Sequence, residues 1–340
     1  MCPKLKKFVL IANGVERMEG FGAVPELEHL EIYQNMVTKV RNISHLQKLK
    51  VLDLSFNEIR KVENIDAANN PLLEKLYLTS NKIKSMDGLK GTFKNLEMVE
   101  FGANRIREIT GLDGVPNCKE LYLGKNKIVS MALPCPLLKL QKMSLQSCRL
   151  DTWDISLFES APCLSHLYLG HNALPNPPKE IEKLQFLVEL DLAANNIDAW
   201  PDVSLPRLGD LWINDAMFDD LDKIRKLERL KGLTTIYLER CPLHKALGQR
   251  VYRQTITSWL PNLEWLDSIN LCEGIEPVPT KGLTAQACVG SILKNKLGYQ
   301  AWEKWEERNA GADPNPRKAR SADGSVPSSD GKVTGYPPKS

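Results

Sequence analysis

One pattern of apolar and polar positions recurs along most of this chain. Segments such as LKVLDLSFN (49–57), LEKLYLTSN (73–81) and LVELDLAAN (187–195) have an apolar residue at the first, fourth and sixth positions and asparagine at the ninth. Because side chains alternate across a strand, the fourth and sixth residues point inward and the residue between them points outward. Each copy therefore predicts a short strand that is buried on one face.

Eleven such copies follow one another at a nearly constant spacing of 21 to 25 residues. Their outward residues lie at positions 9, 31, 53, 77, 100, 122, 144, 168, 191, 212 and 237. The copies resemble the L-x-x-L-x-L-x-x-N/C pattern of leucine-rich repeats. The resemblance implies an α/β fold, a leucine-rich-repeat solenoid of about eleven repeats with a concave parallel sheet and a C-terminal cap.

The segments between the strands carry further apolar residues, as in Ile59 and Val62 or in Ile83, Met86 and Leu89. They predict a short helix or 3₁₀ turn that closes the back of each repeat.

The asparagine at the ninth position, as in Asn57, can hydrogen bond backbone groups where the chain leaves the strand. Stacked copies predict an asparagine ladder. Cys148 and Cys241 fit the same position, whereas Ala216 has no side-chain donor or acceptor and predicts an irregular turn.

The chain is expected to divide into three parts. Residues 1–270 form the solenoid, and its cap lies at about 244–270, where apolar residues near helical spacing precede a strand-like pattern. Those apolar residues are Leu247, Val251, Ile256, Trp259 and Leu260, followed by Leu263 and Leu266. A linker and a helix are predicted for 271–308, and a disordered tail for 309–340, which contains almost no apolar residues.

The formal net charge is only +3, from 45 basic and 42 acidic residues, so no global field favours nucleic acid or an anionic membrane. The first apolar run, FVLIA, is too short for a signal peptide or a membrane span. The eight cysteines form no CxxC pair. These features predict an intracellular protein of the nucleus and cytoplasm with free thiols.

Sequence motifs for catalysis are missing. The chain has no GxxxxGK[ST], HExxH or GxSxG motif, and its five histidines share no metal-ligand spacing. We therefore expect no enzymatic activity, no catalytic residue, no cofactor and no metal.

The outward residues of the strands suggest what the concave face binds. Four are acidic, five are aromatic and none is basic. Exposed aromatic rings on an open sheet typically mark a protein interface, and Tyr and Trp are common anchors there. Nearby acids at positions 120, 189, 210 and 239 would deepen a negative field that repels nucleic acid. We predict a protein partner with a partly basic, partly apolar face.

The segments LDLSFN, LYLGKN, LYLGHN, LDLAANNI and LWINDA, together with TIYLERCPLHK and VYRQTITSWLPNLEWLD, resemble the regulatory subunit 7 family of protein phosphatase 1 over roughly residues 5 to 270. The resemblance implies a non-catalytic regulatory subunit that binds the catalytic subunit of protein phosphatase 1 on its concave face and controls its activity, maturation or location. The partner-binding residues that it implies are Asp53, Tyr77, Glu100, Tyr122, Asp191, Asp210, Trp212 and Tyr237.

Two other functions remain open at this point. One is a ribonucleoprotein assembly subunit resembling the spliceosomal A-prime protein, which has fewer repeats and would associate with its partners in an RNase-sensitive manner. The other is a cytoskeletal adaptor of the dynein-light-chain type, which would sediment with microtubules.

Overall fold

A computed structural model describes residues 2–271 of the chain. This part contains fifteen strands, most of them three residues long. In chain order they are β1 (Lys7–Val9), β2 (His29–Glu31), β3 (Val51–Asp53), β4 (Ile65–Asp66), β5 (Lys75–Tyr77), β6 (Leu89–Lys90), β7 (Met98–Glu100), β8 (Glu120–Tyr122), β9 (Lys142–Ser144), β10 (His166–Tyr168), β11 (Glu189–Asp191), β12 (Asp210–Trp212), β13 (Thr235–Tyr237), β14 (Trp265–Leu266) and β15 (Ile269–Asn270).

Thirteen of these strands form one sheet, in which the strands lie side by side in the same order as along the chain. Strands β4 and β6 are not part of this sheet. All of its neighbours pair in parallel except β14 and β15. Each of the eleven predicted strands ends on its predicted outward residue, and these residues face one another in register, as Asp53 faces Tyr77. The leucines beside them, such as Leu52, Leu76 and Leu121, are fully buried. The predicted solenoid with a concave parallel sheet is confirmed.

The returns behind the strands are partly helical. Residues Phe21–Ala23, Lys179–Lys183 and Arg225–Arg229 form 3₁₀ turns, and the short helices are α1 (Ser156–Ser160) and α2 (Leu221–Ile224). The helical return predicted around Leu89 is wrong, because β6 there pairs in parallel with β4. Gly88 explains the difference: its φ of 144° is not helical, and a Cβ on it would lie 2.0 Å from the Val62 carbonyl oxygen.

The predicted asparagine ladder is present. In a representative step, Asn104 Nδ2 donates to Leu78 O at 2.8 Å in the preceding turn, and Asn104 Oδ1 accepts from the Ile83 backbone N–H at 3.0 Å. Cys148 continues the ladder as a donor to Leu123 O, with an Sγ–O distance of 3.6 Å. Burial raises the pKa of the Cys148 thiol to about 11, so the thiol keeps its proton near neutral pH.

The expected irregular turn at Ala216 is wrong. The residue before each ladder position adopts a left-handed conformation, and Asp215 does so with a φ of 57°, close to the 58° of Phe56. The backbone N–H of Met217 donates to Ile197 O at 2.7 Å, as equivalent residues do in other turns. Arg240 also holds Asp215 through two hydrogen bonds of 2.6 Å. The backbone of the turn therefore stays regular without a polar side chain at 216.

A cap closes the C-terminal end of the sheet, as predicted. Its helix, α3 (Pro242–Trp259), is interrupted at Gly248, whose φ of 72° is not helical. The break changes which face of the second half of the helix is buried. Tyr252 is therefore buried, whereas Val251, one of the apolar residues that predicted the helix, is 49% exposed. Strand β14 then pairs with β13, as the strand-like pattern predicted.

Asp267 joins the cap to the last repeat. Its Oδ1 accepts from the Leu238 backbone N–H at 2.8 Å, and its Oδ2 accepts from the Tyr252 hydroxyl at 3.1 Å. The helix and tail predicted beyond the cap, at 271–308 and 309–340, lie outside the described residues except for Leu271.

Candidate protein-binding face

The predicted partner-binding residues lie together on the concave face. Seven of the eight end their strands and form part of one row that crosses the sheet in register. The eighth, Asp210, begins the strand that Trp212 ends, and it faces Glu189 and Thr235 on the neighbouring strands. The periodic spacing therefore placed these side chains on one surface correctly.

Their exposure differs between the two halves of the row. In the first half, from β2 to β8, the row residues are buried: Tyr77 is 6% exposed, Tyr122 is 3% exposed and Glu100 is inaccessible. The expectation that the aromatic rings of this row are exposed is therefore wrong for Tyr77 and Tyr122. Neither ring offers a partner a substantial contact area.

A small apolar cluster on the concave face explains this burial. The rings of Tyr77 and Tyr122 pack with Met98, and Val51 lies against the same group. Met98 and Val51 begin strands next to those that the tyrosines end, so side chains from adjacent turns cover the rings. On the concave side of a curved sheet, side chains of adjacent turns converge and shield one another from water.

The buried acids of this half are held by local hydrogen bonds. The Thr79 hydroxyl donates to Glu100 Oε1 at 2.7 Å, and the Ser55 backbone N–H donates to Asp53 Oδ1 at 2.9 Å. Buried polar groups need such partners. In the free chain, Asp53 and Glu100 therefore act as structural groups of the sheet.

The second half of the row, from β10 to β13, is more open. Tyr168, Trp212 and Tyr237 are half-buried, and the rings of Trp212 and Tyr237 stack with their centroids 6.1 Å apart and an interplanar angle of 26°. Half-buried acids lie beside them. We name this surface the acidic–aromatic patch, and its members are Tyr168, Glu189, Asp210, Trp212, Tyr237 and Glu239.

The basic groups beside the acids differ between the two halves of the face. In the first half, Lys142 lies 3.5 Å from the Glu120 carboxylate and offsets its charge. In the patch, His166 lies 3.6 Å from Glu189. Burial, followed by the nearby Lys142, lowers the pKa of His166, so this imidazole is neutral at pH 7 and adds no positive charge beside Glu189. Arg240 at the patch border pairs with Glu239.

Asp191 lies beneath the patch, between the strands that carry Tyr168 and Trp212, and is only 9% exposed. Its carboxylate accepts a hydrogen bond from the Ala193 backbone N–H at 2.9 Å and another from the Gln146 amide. Gly170 leaves room for it, since a Cβ there would lie 2.8 Å from both carboxylate oxygens. Burial raises the pKa of Asp191 despite these hydrogen bonds.

A raised pKa in the folded state predicts a pH dependence of stability. The folded chain binds the proton of Asp191 more tightly than the unfolded chain, so this group's contribution is most favourable at low pH and is lost as pH rises through the raised pKa. Asp191→Asn keeps a neutral side chain at every pH. We therefore expect the variant to gain free energy of unfolding relative to the wild type as pH rises from about 3.8, the group's ordinary value. Urea denaturation at a series of pH values measures this difference.

The matched control for this prediction is Asp151→Asn, which removes an exposed carboxylate. Its free energy of unfolding should keep a constant offset from that of the wild type across the same pH series. A constant offset for Asp191→Asn as well would contradict the prediction.

Sequence reasoning missed Trp265, which extends the patch. It begins β14 and faces Thr235, which in turn faces Asp210. Trp265 is 40% exposed. The leucines of NLEWLD indicated a strand. The tryptophan lies beside the patch because this strand pairs with β13, and that pairing depends on the fold of the cap, which the local sequence does not show.

Within residues 2–271, no group of three or more His, Cys, Asp or Glu side chains is arranged to hold a metal ion. The same residues contain no helix of sufficient length and apolarity to cross a bilayer.

Comparisons with known proteins agree with this architecture. A family model described as leucine-rich repeat matches residues 25–83. A leucine-rich-repeat protein of Leptospira interrogans has a similar solved structure, with a TM-score of 0.59 and 25% sequence identity over 77% of this chain and 72% of that one. The functional domain of InlJ from Listeria monocytogenes, which includes a cysteine ladder, has a TM-score of 0.59 and 18% identity over 83% of this chain and 57% of that one. A search of curated proteins gives no match.

These likenesses establish the fold and its general use. Leucine-rich-repeat solenoids are protein-interaction scaffolds whose extended concave surfaces bind partners, and neither the family model nor the Leptospira structure indicates an enzymatic family.

Proposed function

We propose that this chain, which folds as a leucine-rich-repeat domain, is a non-catalytic regulatory subunit that binds the catalytic subunit of protein phosphatase 1 in the nucleus and cytoplasm. The observation that carries the proposal is the acidic–aromatic patch, where the stacked Trp212 and Tyr237 rings stand half-exposed between acids. Trp212, Tyr237 and Glu239 of the patch come from the segments LWINDA and TIYLERCPLHK, which are among those on which the resemblance to that regulatory family rests.

The patch favours a partner of particular chemistry. Stacked aromatic side chains supply a large rigid contact area, and such residues are common interface anchors. Asp210 and Glu189 provide negative charge around them, which attracts a basic surface and speeds its association. A folded partner with an apolar spot surrounded by Lys and Arg fits this surface.

The exposure difference narrows the binding site within the row. Buried Tyr77 and Tyr122 contribute through the shape of the sheet, whereas Trp212, Tyr237 and Asp210 contact the partner directly. The proposal thus assigns direct contact to β10 through β14 and a supporting role to the first half of the row.

Affinity purification from native extract tests the proposal. The full-length chain is used as bait, bound proteins are identified by mass spectrometry, and the Trp212→Ala/Tyr237→Ala double variant is the matched bait. We expect a protein phosphatase 1 catalytic subunit to be enriched by the wild type and lost from the double variant. Failure to recover any phosphatase catalytic subunit, or equal recovery with both baits, would refute the proposal. Loss of the associated proteins after RNase treatment would favour the ribonucleoprotein alternative instead.

A further inference from the structure

The two edges of the sheet differ in how they arrange charge. At the edge where the chain enters each strand, opposite charges pair between neighbouring turns: Glu28 lies 2.9 Å from Lys6 and 2.8 Å from Lys50. Hydrogen bonds from these lysines lower the pKa of Glu28 to about 2. Farther along the same edge, Lys119 lies 2.8 Å from Glu97. These cations are thus neutralised by acids of neighbouring turns.

The opposite edge, just after the asparagine ladder, carries cations in successive turns. Arg105, Lys127 and Arg149 each follow a ladder residue, and their backbone N–H groups donate to Ile83, Ile106 and Ile128 at 2.8 Å. These hydrogen bonds fix the three residues at equivalent places on adjacent turns, which are about 4.8 Å apart.

A second row of cations lies two residues farther along the chain. It consists of Arg60, Lys84 and Arg107, which alternate with the buried isoleucines of the same segments and are exposed. We call the two rows together the basic edge, and its members are Arg60, Lys84, Arg105, Arg107, Lys127 and Arg149.

The charges of the basic edge are not paired within the described part of the chain. Lys82, which precedes Arg105 in the first row, forms an ion pair with Glu58. By contrast, no acidic side chain among residues 2–271 lies within 4.0 Å of any of the six members. Like charges at equivalent places on adjacent turns repel each other and oppose folding. A chain that pairs its lysines with acids on the other edge but aligns unpaired cations here has a surface suited to an anionic ligand.

The composition of the remaining segment does not favour it as the anion. Residues 272–340 contain eight acidic and ten basic side chains, so this segment carries no excess of negative charge. We therefore look for the ligand in a partner protein.

We propose that the basic edge binds an acidic, extended peptide segment of a partner protein. From the turn of Arg60 to that of Arg149 the edge spans four steps, or about 20 Å, which an extended peptide of about six residues covers. Arginines suit carboxylates because their guanidinium groups bind them through two parallel hydrogen bonds. No aromatic residue belongs to either row, so the edge lacks the stacking platforms that single-stranded nucleic acids use.

Fluorescence anisotropy with a labelled poly-glutamate peptide of about ten residues tests this proposal on the full chain. The test variant is Arg105→Gln/Lys127→Gln/Arg149→Gln. The matched control, Lys6→Gln/Lys50→Gln/Lys119→Gln, removes the same charge from the opposite edge, where the lysines are paired. We expect the affinity to fall about tenfold or more in the test variant and by less than about threefold in the control. Added salt should weaken the wild-type complex.

Several outcomes would overturn the proposal. The first is that the wild type does not bind the peptide, and the second is that both triple variants lose the same amount of affinity. The third is a lower thermal unfolding midpoint in the test variant than in the control, because that result would assign these cations a role in folding. Tighter binding to single-stranded RNA or to anionic phosphatidylserine vesicles through the same residues would overturn the choice of a peptide. The Trp212→Ala/Tyr237→Ala variant should bind the peptide like the wild type, so this result is independent of the phosphatase proposal.

Discussion

Alanine at position 212 or 237 is expected to weaken binding of a purified protein phosphatase 1 catalytic subunit by about 2 kcal/mol, or roughly thirtyfold in Kd. Both side chains stand half-exposed at the centre of the acidic–aromatic patch, with their rings stacked. Removing one ring deletes part of the contact area with the partner, and it also removes the packing that holds the other ring in place. The two effects should therefore not add in the double variant, because residues in contact are coupled. Isothermal titration calorimetry or surface plasmon resonance measures each Kd.

Three further variants show whether the patch itself is responsible. Phe186→Ala removes an aromatic ring that is 46% exposed, packs under Arg207 and lies outside the concave face, and it should leave Kd unchanged. Tyr77→Ala and Tyr122→Ala should instead lower the free energy of unfolding by about 3 kcal/mol, since both rings are buried. Unchanged affinity in Trp212→Ala and Tyr237→Ala would refute the assignment of the patch as the binding site.

The sequence predicts where the residues of the site lie on the fold, but it does not predict how exposed each of them is. Strand residues alternate between faces, so the spacing of Leu190 and Leu192 predicts that Asp191 points to the concave side, and the structure places it there. Burial depends on neighbours that are not adjacent in sequence. Tyr77 is covered by Met98 from the next turn, and no local pattern around Tyr77 contains that information.

The same distinction accounts for the error in the cap. The apolar spacing of residues 247–260 predicts a helix that covers the last repeat, with Val251 among its apolar residues. The break at Gly248 alters the helical phase, so Tyr252 is buried in its place and reaches Asp267. A glycine within a helical pattern indicates a less stable helix, but it does not show whether the helix continues past that residue.

Each asparagine of the ladder contributes to the stability of the fold through several hydrogen bonds. Asn104→Ala is expected to lower the free energy of unfolding by about 3 kcal/mol. Asn104 Nδ2 donates to the carbonyls of Leu78, Phe101 and Gly102 at 2.8 to 3.1 Å, and Oδ1 accepts from the Ile83 N–H. Alanine would leave these backbone groups without that partner at a site only 7% exposed, where water cannot replace it. Urea denaturation followed by circular dichroism measures the loss.

Two substitutions at ladder positions separate lost hydrogen bonds from lost volume. Asn104→Cys should cost less than Asn104→Ala, because a thiol at this position can still donate to the preceding turn, as Cys241 does to Ile213 O at 3.7 Å. Ala216→Ser should have an effect within about 0.5 kcal/mol, since the turn there already keeps its backbone geometry and Asp215 is held by Arg240. If alanine and cysteine at position 104 destabilise the chain equally, the hydrogen bond to the preceding turn contributes little to the free energy of unfolding. Packing must then account for the geometry that successive turns of this chain share.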